Sequence, residues 1–216
     1  MDIEIARTNM LKQQLRTNGV VDDTLLAIFD HLAREDFVPA GYYNLAYADA
    51  NIPIGHGQVM LSPTVEAKIL QHTDILGHEK VLEIGTGTGY LTALLAMQAA
   101  HVTTVDIFPD FTERARANLV KLHFENITLE TGNAAKGWGK HLFDVIIVSG
   151  AVEFLVPELL AQLAPGGRLF AIVGKAPVME ACLITHHPTQ GMQTQVLFET
   201  VVPALIDAPR RESFSF

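Results

Sequence analysis

The chain has one cysteine and few charged residues, and each of these shortages excludes a class of protein. Among 216 residues Cys182 is the only cysteine, so no disulfide can form within the chain. Cys182 lies in the apolar run Ala181-Cys182-Leu183-Ile184, which is typical of a buried side chain rather than a nucleophile. Charged residues make up 18% and hydrophobic residues 49%, a balance that excludes a disordered chain.

Basic clusters and long apolar runs are missing as well. The net charge is −9, and Arg210-Arg211 is the only adjacent basic pair, so the sequence predicts neither a nucleic acid nor a membrane as partner. No apolar stretch approaches the ~20 residues of a membrane span, and residues 1–4 lack the order of a signal peptide. We therefore expect a cytoplasmic protein. The histidines, including His186-His187, show no metal-ligand spacing, so we expect no metal site.

The segment from Val81 to Tyr90 reads Val-Leu-Glu-Ile-Gly-Thr-Gly-Thr-Gly-Tyr and predicts a strand, a tight turn and the start of a helix. Gly85, Gly87 and Gly89 allow the backbone to approach a ligand without intervening side chains. Asp106 ends a second apolar run, and a carboxylate at that strand end can accept hydrogen bonds from a ribose diol. Together these features predict a nucleoside-binding βαβ unit.

The spacing of the glycines indicates which nucleoside binds. A dinucleotide site has the pattern G-x-G-x-x-G, whereas this chain has G-x-G-x-G with Glu83 before the first glycine. A carboxylate there would repel a pyrophosphate and suit a ligand with a positive charge, such as the ammonium of S-adenosylmethionine. The alternatives are a glycine turn that merely links strand to helix, and an NAD-dependent oxidoreductase, which the glycine spacing and Glu83 both disfavour.

The N-terminal third of the chain is organised differently from the rest. Residues 5–34 carry apolar residues at helical spacing, with Asp22-Asp23 as a helix N-cap. Residues 40–63 are rich in Tyr, Asn, Gly and Pro and have no clear period, which is typical of a functional or poorly ordered segment. Pro63 or Ser62 starts the next helix.

From Lys80 onward, predicted strands and helices alternate. Residues 143–149 are almost wholly apolar, as a central parallel strand should be. A helix over 156–163 ends at Pro165-Gly166-Gly167. The other predicted elements are helices over 91–99 and near 110–122, strands near 127–130 and over 168–173, and two alternating segments, 181–187 and 193–202, that flank a turn at 188–191.

These elements predict an α/β fold: a doubly wound, mostly parallel, Rossmann-like sheet with an antiparallel C-terminal hairpin and an N-terminal helical extension. We see no internal repeat or linker, so we expect a single domain over 1–216. Within it, residues 1–63 form the extension and residues 64–216 the nucleoside-binding core.

Several short motifs resemble those of a known family. Two of them, Phe37-Val38-Pro39 and Gly57-Gln58, lie before the glycine loop and in that position are specific to the family. The chain resembles the protein-L-isoaspartate O-methyltransferases, class I methyltransferases that use S-adenosylmethionine. The anchors are residues 34–39, 46–49, 55–58, 81–90, 132–134, 137–138, 143–149 and 162–169.

The resemblance implies that S-adenosylmethionine is the cofactor, that S-adenosylhomocysteine is its product, and which residues bind it. Gly85, Thr86, Gly87 and Gly89 would line its methionine and ribose side, Asp106 would hold the ribose hydroxyls, and 132–134 would lie against the adenine. Family members usually have Asp where Asn133 stands, and either side chain can accept a hydrogen bond from the adenine amino group. The full set of expected cofactor residues is Glu83, Gly85, Thr86, Gly87, Thr88, Gly89, Asp106, Ile107, Gly132, Asn133, Ala134 and Ser149.

The loop before Pro63 departs from the family pattern. The family typically reads Gly-Gln-Thr-Ile-Ser-x-Pro, with hydroxyls beside the transferred methyl, whereas Val59 and Leu61 occupy those two positions here. Ser62 is the one hydroxyl left between Gln58 and Pro63. It could face the acceptor from a shifted position or serve as the N-cap of the following helix.

Other polar residues have two interpretations each. His56 lies near the acceptor or is a structural loop residue, so the candidate residues of the reaction centre are His56, Val59, Leu61 and Ser62. Asp49 contacts the substrate or fixes the loop through backbone amides. Glu66 and Lys68 are expected to be solvated, and Trp138 is expected to pack beneath the loop that follows Gly132.

The resemblance implies S-adenosylmethionine-dependent O-methylation of a carboxyl group, namely that of isoaspartyl residues in damaged proteins. Proteins and peptides with such residues are the expected partners, and the oligomeric state stays open, with a monomer as the simplest expectation. Because Val59 and Leu61 replace the hydroxyls, two alternatives stay open. One is a diverged methyltransferase with another acceptor, and the other is a cofactor-binding sensor or adaptor that has lost methyl transfer.

Overall fold

The N-terminal part of the chain forms short helices and a small hairpin before the main sheet begins. Asp2 and Asp22 each accept hydrogen bonds from backbone amides and cap the first two α-helices, as predicted for Asp22. The computed structural model describes residues 2–187 and 189–211. Its first elements are α1 (Ile3–Asn9), a π-helical continuation (Met10–Leu15), α2 (Asp23–His31), 3₁₀ segments (Arg34–Asp36, Ala40–Leu45), β1 (Ile52–Gly55), β2 (Gln58–Met60) and α3 (Pro63–Thr73).

The rest of the described chain alternates strands and helices and then ends in antiparallel strands. The elements are β3 (Lys80–Ile84), α4 (Tyr90–Ala96), β4 (His101–Asp106), α5 (Pro109–Leu119) with a 3₁₀ turn (Val120–Leu122), β5 (Ile127–Thr131), β6 (Phe143–Val152), α6 (Pro157–Leu160), β7 (Leu163–Lys175), β8 (Val178–His187) and β9 (Gly191–Glu199).

Seven strands form the main sheet in the order β5-β4-β3-β6-β7-β8-β9. The first five in that order are parallel, and β7, β8 and β9 pair antiparallel. The chain fills the sheet outward from β3 to β5 and then returns to place β6 on the other side of β3. Ligands of open α/β sheets bind beyond the carboxyl ends of the strands at such a reversal. The predicted fold is confirmed.

Successive residues of the central strands bury opposite faces of the sheet. Val81 belongs to a core that includes Leu94 of α4 and Phe111 of α5, whereas Leu82 belongs to a second core with Leu159 of α6. All five side chains are buried, and both faces of β3 are therefore covered, as is usual for a central parallel strand.

The helix predicted over 156–163 is wrong in its second half. The helix α6 ends at Leu160, and β7 begins at Leu163, which pairs with Phe143. The register next resumes at Arg168 opposite Val145, so the intervening Pro-Gly-Gly residues form a bulge inside the strand instead of a stop beyond a helix. Pairing with β6 is a tertiary contact and overrides the local apolar period.

The segment 40–63, which has no sequence period, contains regular structure. A 3₁₀ helix covers Ala40–Leu45, and β1 and β2 form an antiparallel hairpin. The three hairpin-turn residues Gly55, His56 and Gly57 all have positive φ angles, of 112°, 51° and 70°. Two of them are glycines, which adopt this conformation without strain.

The position of Cys182 agrees with the apolar run in which it lies. Cys182 is buried in β8. Within residues 2–187 and 189–211, every helix is too short or too polar to traverse a lipid bilayer. The second strand of the terminal hairpin ends at Glu199 rather than near 202, and Pro188 of its turn lies outside the described residues.

Gly89 provides a test of how tightly α4 and α5 pack. Its φ is +84°, and an added Cβ would lie 3.0 Å from the Cβ of Ala115. Gly89→Ala should therefore lower the free energy of unfolding by about 2 kcal/mol through backbone strain and overpacking. Urea unfolding measures the change. The control is Gly41→Ala, where the new Cβ meets nothing within 4 Å; equal losses in the two variants would contradict the prediction.

Candidate active site

A cleft lies beyond the carboxyl ends of β3, β4 and β6, where the strand order reverses. The space between its walls is about 550 Å³, including the solvent at its open mouth. Its walls come from the glycine loop, the segments after β4 and β5, the β1–β2 hairpin and the C-terminal segment. The lining residues are Ile54, Gln58, Val59, Ile84, Gly85, Gly87, Val105, Asp106, Ile107, Phe108, Phe111, Gly132, Asn133, Ala134, Ala135, Ser149, Gly150, Leu205 and Ile206.

Two of the three loop glycines leave bare backbone in the cleft. Gly85 and Gly87 have φ angles of +100° and +54°, and an added Cβ would lie 3.3 Å from Ser149 and 3.2 Å from Ile54, respectively. Side chains at these positions would close the cleft. Gly89 does not line it and instead allows α4 to pack against Ala115.

The carboxylate of Asp106 is fixed at the end of β4 by backbone amides. One oxygen accepts a hydrogen bond from the Gly87 N–H at 2.9 Å, and the other accepts one from the Phe108 N–H at 3.0 Å. Burial raises the pKa of this carboxyl above its usual value, and the two amide bonds oppose the rise. Each oxygen keeps a lone pair for a ligand hydroxyl in the cleft.

The segment after β5 forms a further wall of the cleft, and its Gly132 N–H donates to the backbone oxygen of Asp106 at 2.9 Å. The Oδ1 atom of Asn133 accepts a hydrogen bond from the Ala135 N–H at 3.0 Å, which leaves the amide group as a donor. Trp138 packs on Gly132 as expected, because a Cβ there would lie 2.5 Å from the indole ring.

Glu83 does not face the cleft, so the charge argument made from its sequence position is wrong. Its side chain is fully buried beneath the glycine loop, and its Oε2 accepts hydrogen bonds from the hydroxyls of Thr92 at 2.5 Å and Thr104 at 2.7 Å. Thr104 also bonds to Thr86 at 2.6 Å. Burial raises the pKa of Glu83 to about 8, so the group is largely neutral at pH 7.

A smaller cavity of about 290 Å³ continues from the cleft and shares Val59, Gly85, Gly87 and Ser149 with it. Glu66 is the one charged residue that lines this cavity. It is 2% exposed, so the expectation that it is solvated is wrong. The other lining residues are Met60, Leu61, Thr86, Thr88, Tyr90 and Leu91.

Glu66 is buried because it pairs with Arg34. The Arg34 guanidinium is fully buried and also donates hydrogen bonds to the backbone oxygens of Ala46 at 2.8 Å and Leu61 at 2.5 Å. The guanidinium carbon also lies over the aromatic ring of Tyr90, 4.7 Å from the ring centroid. Burial raises the pKa of Glu66, and the charge of Arg34 opposes the rise.

Ser62 and His56 lie outside both spaces. The Ser62 N–H donates to Asn51 Oδ1 at 3.0 Å, and Ser62 precedes α3 without a side-chain capping bond. His56 stacks on Phe108 with 4.0 Å between ring centroids, and its Nε2 lies 3.0 Å from the carboxylate of Asp110. The structure thus supports the structural interpretation of His56.

Asp49 has a structural contact, and Lys68, which was expected to be solvated, instead packs against an aromatic ring. Asp49 Oδ1 accepts the Thr64 N–H at 3.2 Å, which fixes the start of α3. The Lys68 ammonium lies 4.7 Å from the ring centroid of Phe198, so its stem is half-buried against β9.

Comparison with known proteins decides the family. The family model for protein-L-isoaspartate(D-aspartate) O-methyltransferases matches residues 6–203. A protein-L-isoaspartate O-methyltransferase of Gloeobacter violaceus is 40% identical over 203 residues, which cover 93% of this chain and 99% of that protein. One from Anaeromyxobacter sp. strain Fw109-5 is 41% identical over 172 residues, 79% of this chain and 81% of that protein. This chain belongs to the protein-L-isoaspartate(D-aspartate) O-methyltransferase family.

Solved structures support the fold of this methyltransferase. A Plasmodium falciparum protein assigned as a protein-L-isoaspartate O-methyltransferase, in complex with S-adenosyl-L-homocysteine, superposes with a TM-score of 0.78 over 95% of this chain and 98% of that one, at 19% identity. A second protein-L-isoaspartate O-methyltransferase has a TM-score of 0.76 over 92% of this chain and 65% of that one, at 23% identity. At these identities the likeness concerns the fold alone.

The methyltransferase uses S-adenosylmethionine, as its family membership establishes, and the lining of the cleft fits that ligand. The lining contains a carboxylate for ribose hydroxyls, bare glycine backbone and apolar side chains, but neither Lys nor Arg among the described residues. A phosphate-bearing dinucleotide would find no cationic side chain there. Both the oxidoreductase alternative and the loss of enzymatic function are rejected.

Sequence reasoning missed several walls of the cleft. Phe108 and Phe111 follow Asp106 by two and five residues, and their apolar spacing at the start of α5 is a signal that could have identified them. Leu205 and Ile206 come from the segment after β9 and have no pattern that predicts a contact with β6.

The raised pKa of Glu83 predicts a pH dependence of stability. This carboxyl binds its proton more tightly in the folded state, since burial raises its pKa to about 8, well above the usual value of a glutamate. The free energy of unfolding should therefore fall as pH rises from about 5 through 8. Relative to Glu83→Gln, wild type should lose about 2 kcal/mol between pH 6 and pH 8.

Urea unfolding at pH 6, 7 and 8 measures this difference. Glu125→Gln, at an exposed glutamate, is the control and should follow the wild type. Parallel pH curves for wild type and Glu83→Gln would contradict the prediction.

Proposed function

We propose that this enzyme methylates the free carboxylate of L-isoaspartyl residues in proteins and peptides, with its cofactor held in the cleft by the strand-end residues. The observation that supports this most directly is the cleft beside Asp106, within a family match that spans residues 6–203. The acceptor then enters from the side of the β1–β2 hairpin, which lies outside the α/β core.

Asp106, Asn133 and the glycine loop bind the nucleoside part in this proposal. Asp106 has both oxygens oriented by backbone amides, so it meets the ribose diol without reorganisation. The wall at 132–134 lies against the adenine, and Asn133 offers it the amide NH₂ as a donor and the second lone pair of an oxygen that already bonds to Ala135. Gly85 and Gly87 allow close approach of the backbone, and Ile107 and Ser149 complete the lining.

Val59 forms the wall where the cleft and the small cavity meet, and Leu61 lines the cavity. Bound S-adenosylmethionine supplies an electrophilic methyl group on a sulfonium. The chain aligns the acceptor carboxylate and excludes water from it, which is the main requirement of an in-line displacement. A carboxylate is ionised at neutral pH and needs no general base. Apolar side chains at 59 and 61 are therefore compatible with the reaction.

Two peptides that differ in one linkage test the substrate. With labelled cofactor, a peptide with L-isoaspartate should form a base-labile methyl ester, and the same peptide with L-aspartate should form little. Calorimetry of S-adenosylhomocysteine binding is run in parallel. Cofactor binding without ester on the isoaspartyl peptide would remove the proposed substrate and leave the fold and family unchanged.

A diverged enzyme with another carboxyl acceptor is the second candidate, favoured by the absence of hydroxyls at Val59 and Leu61. In that case the wild type would be inactive on the isoaspartyl peptide, and Val59→Thr combined with Leu61→Ser would gain activity. Activity of the wild type itself would reject this candidate.

The role of Asp106 is tested by its removal. Asp106→Ala should weaken S-adenosylhomocysteine binding by about tenfold or more, because two ribose hydroxyls lose a charged acceptor. Glu113→Ala is the control, since this carboxylate is exposed on α5 and does not line the cleft. Isothermal calorimetry measures both variants; an equal effect would contradict the assigned role.

A further inference from the structure

The turn between the π-helical continuation and α2 contains the one Asn-Gly pair of the sequence, Asn18-Gly19. We propose that this pair is a site at which the enzyme itself is converted to L-isoaspartate, and that a second copy of the chain methylates the carboxylate set free there. This inference rests on the proposed function, because it takes the isoaspartyl carboxylate as the acceptor. It adds an acceptor site that lies on the enzyme.

The conversion needs a main-chain nitrogen that can reach the side-chain carbonyl of the residue before it. The nitrogen of Gly19 forms a bond to Cγ of Asn18, and the side-chain nitrogen leaves as ammonia with the proton that the Gly19 nitrogen gives up. Water then opens the five-membered ring at either carbonyl. Opening at the main-chain carbonyl leaves residue 18 linked to Gly19 through its side-chain carbon, with a free α-carboxylate. That product is an L-isoaspartyl residue.

The residue after each asparagine decides how easily this ring closes. Gly19 has no Cβ, so no side chain hinders the approach of its nitrogen. The six other asparagines are followed by Met, Leu, Ile, Leu, Ile and Ala, and no aspartate is followed by glycine. Asn44 is also exposed but is followed by Leu45, so it serves as a comparison within the same chain.

The folded turn leaves the pair open to solvent. Asn18 and Gly19 are both exposed, and a Cβ added to Gly19 would meet nothing within 4 Å. The two nitrogens of the reaction donate only to nearby main-chain oxygens, Asn18 Nδ2 to Gln14 at 2.9 Å and the Gly19 N–H to Arg16 at 3.2 Å. Both acceptors lie at the end of the helical segment, and helix ends fray. Fraying frees the nitrogens for ring closure without unfolding the core.

The cleft of the same molecule is on the opposite side of the sheet from this turn. The Gly19 oxygen accepts a hydrogen bond from Gln71 Nε2 at 3.1 Å, in the last turn of α3. The Asp74 oxygen, just after α3, accepts one from Arg168 at 2.7 Å, and Arg168 pairs with Val145 near the start of β6. The turn therefore lies toward the amino ends of the strands, whereas the cleft lies at their carboxyl ends. Methylation of this site requires a second copy.

Conversion at this turn weakens the contact between the N-terminal extension and the core. The isoaspartyl link adds one carbon to the main chain and one negative charge to residue 18. The adjacent hydrogen bond from the Val20 N–H to the Leu15 oxygen, at 3.0 Å, closes the helix end. Val20 and Leu15 are fully buried, so a shift of the turn displaces packed side chains.

Aged enzyme tests the site. The full chain is aged without cofactor at mildly alkaline pH, which favours loss of the Gly19 proton, and is then given labelled S-adenosylmethionine and fresh wild type. Base-labile methyl ester should form on the aged chain and increase with the time of ageing. Asn18→Gln should abolish that increase, since a glutamine side chain cannot form the five-membered ring. Asn44→Gln, the matched control, should leave it unchanged.

Two further measurements separate the steps. Trypsin releases the fragment between Arg16 and Arg34, and mass mapping of that fragment shows whether isoaspartate forms at residue 18, independently of methyl transfer. With aged wild type alone at low concentration, the rate of ester formation should be second order in enzyme, because one copy is the acceptor of another.

The isoaspartyl peptide of the substrate test is run beside the aged chain. Ester on the peptide and none on the aged chain overturns this inference alone, whereas ester on neither overturns the proposed function with it. Equal label on aged wild type and aged Asn18→Gln would place the conversion at another residue and reject the assignment, as would a fragment without isoaspartate. A rate that is first order in enzyme would reject transfer between copies.

Discussion

The buried guanidinium of Arg34 is the contact on which the rest of the site depends. It is fully shielded from solvent and contacts four groups from three parts of the chain: the carbonyl of Ala46, the carbonyl of Leu61 with the carboxylate of Glu66, and the ring of Tyr90. A buried cation is costly unless every donor finds an acceptor. The loop before α3 must therefore adopt the one path that supplies those acceptors.

That path places the β1–β2 hairpin over the glycine loop. Arg34 holds the base of the loop, and the hairpin is held near its tip by Arg114, which donates to the Ile54 carbonyl at 2.9 Å, and by His56 against Asp110. Ile54 and Val59 thereby become walls of the cleft. The acceptor side of the site is thus a layer added to a nucleoside-binding core, and it is anchored by charges at both ends.

The parts of this molecule that sequence predicts are those whose cause is local. The positive φ angles of Gly85 and Gly87, the apolar strand before them and the position of Asp106 follow from neighbours in the chain. Nine of the nineteen residues that line the cleft are among the predicted site residues. Glu66 was not predicted, because its partner Arg34 lies 32 residues away and its helical position reads as polar surface. The same reason explains the missed Leu205, which reaches the cleft from beyond β9.

The two buried glutamates show why residue type does not fix charge. Glu83 receives hydrogen bonds from two hydroxyls and no cation, so desolvation dominates and its neutral form is favoured at pH 7. Glu66 is equally shielded, and burial raises its pKa as well, to about 7, but the charge of Arg34 opposes that rise. Arg34 therefore opposes the protonation of one buried glutamate and not of the other. A residue that orders the loop also sets the electrostatics that a charged ligand meets there.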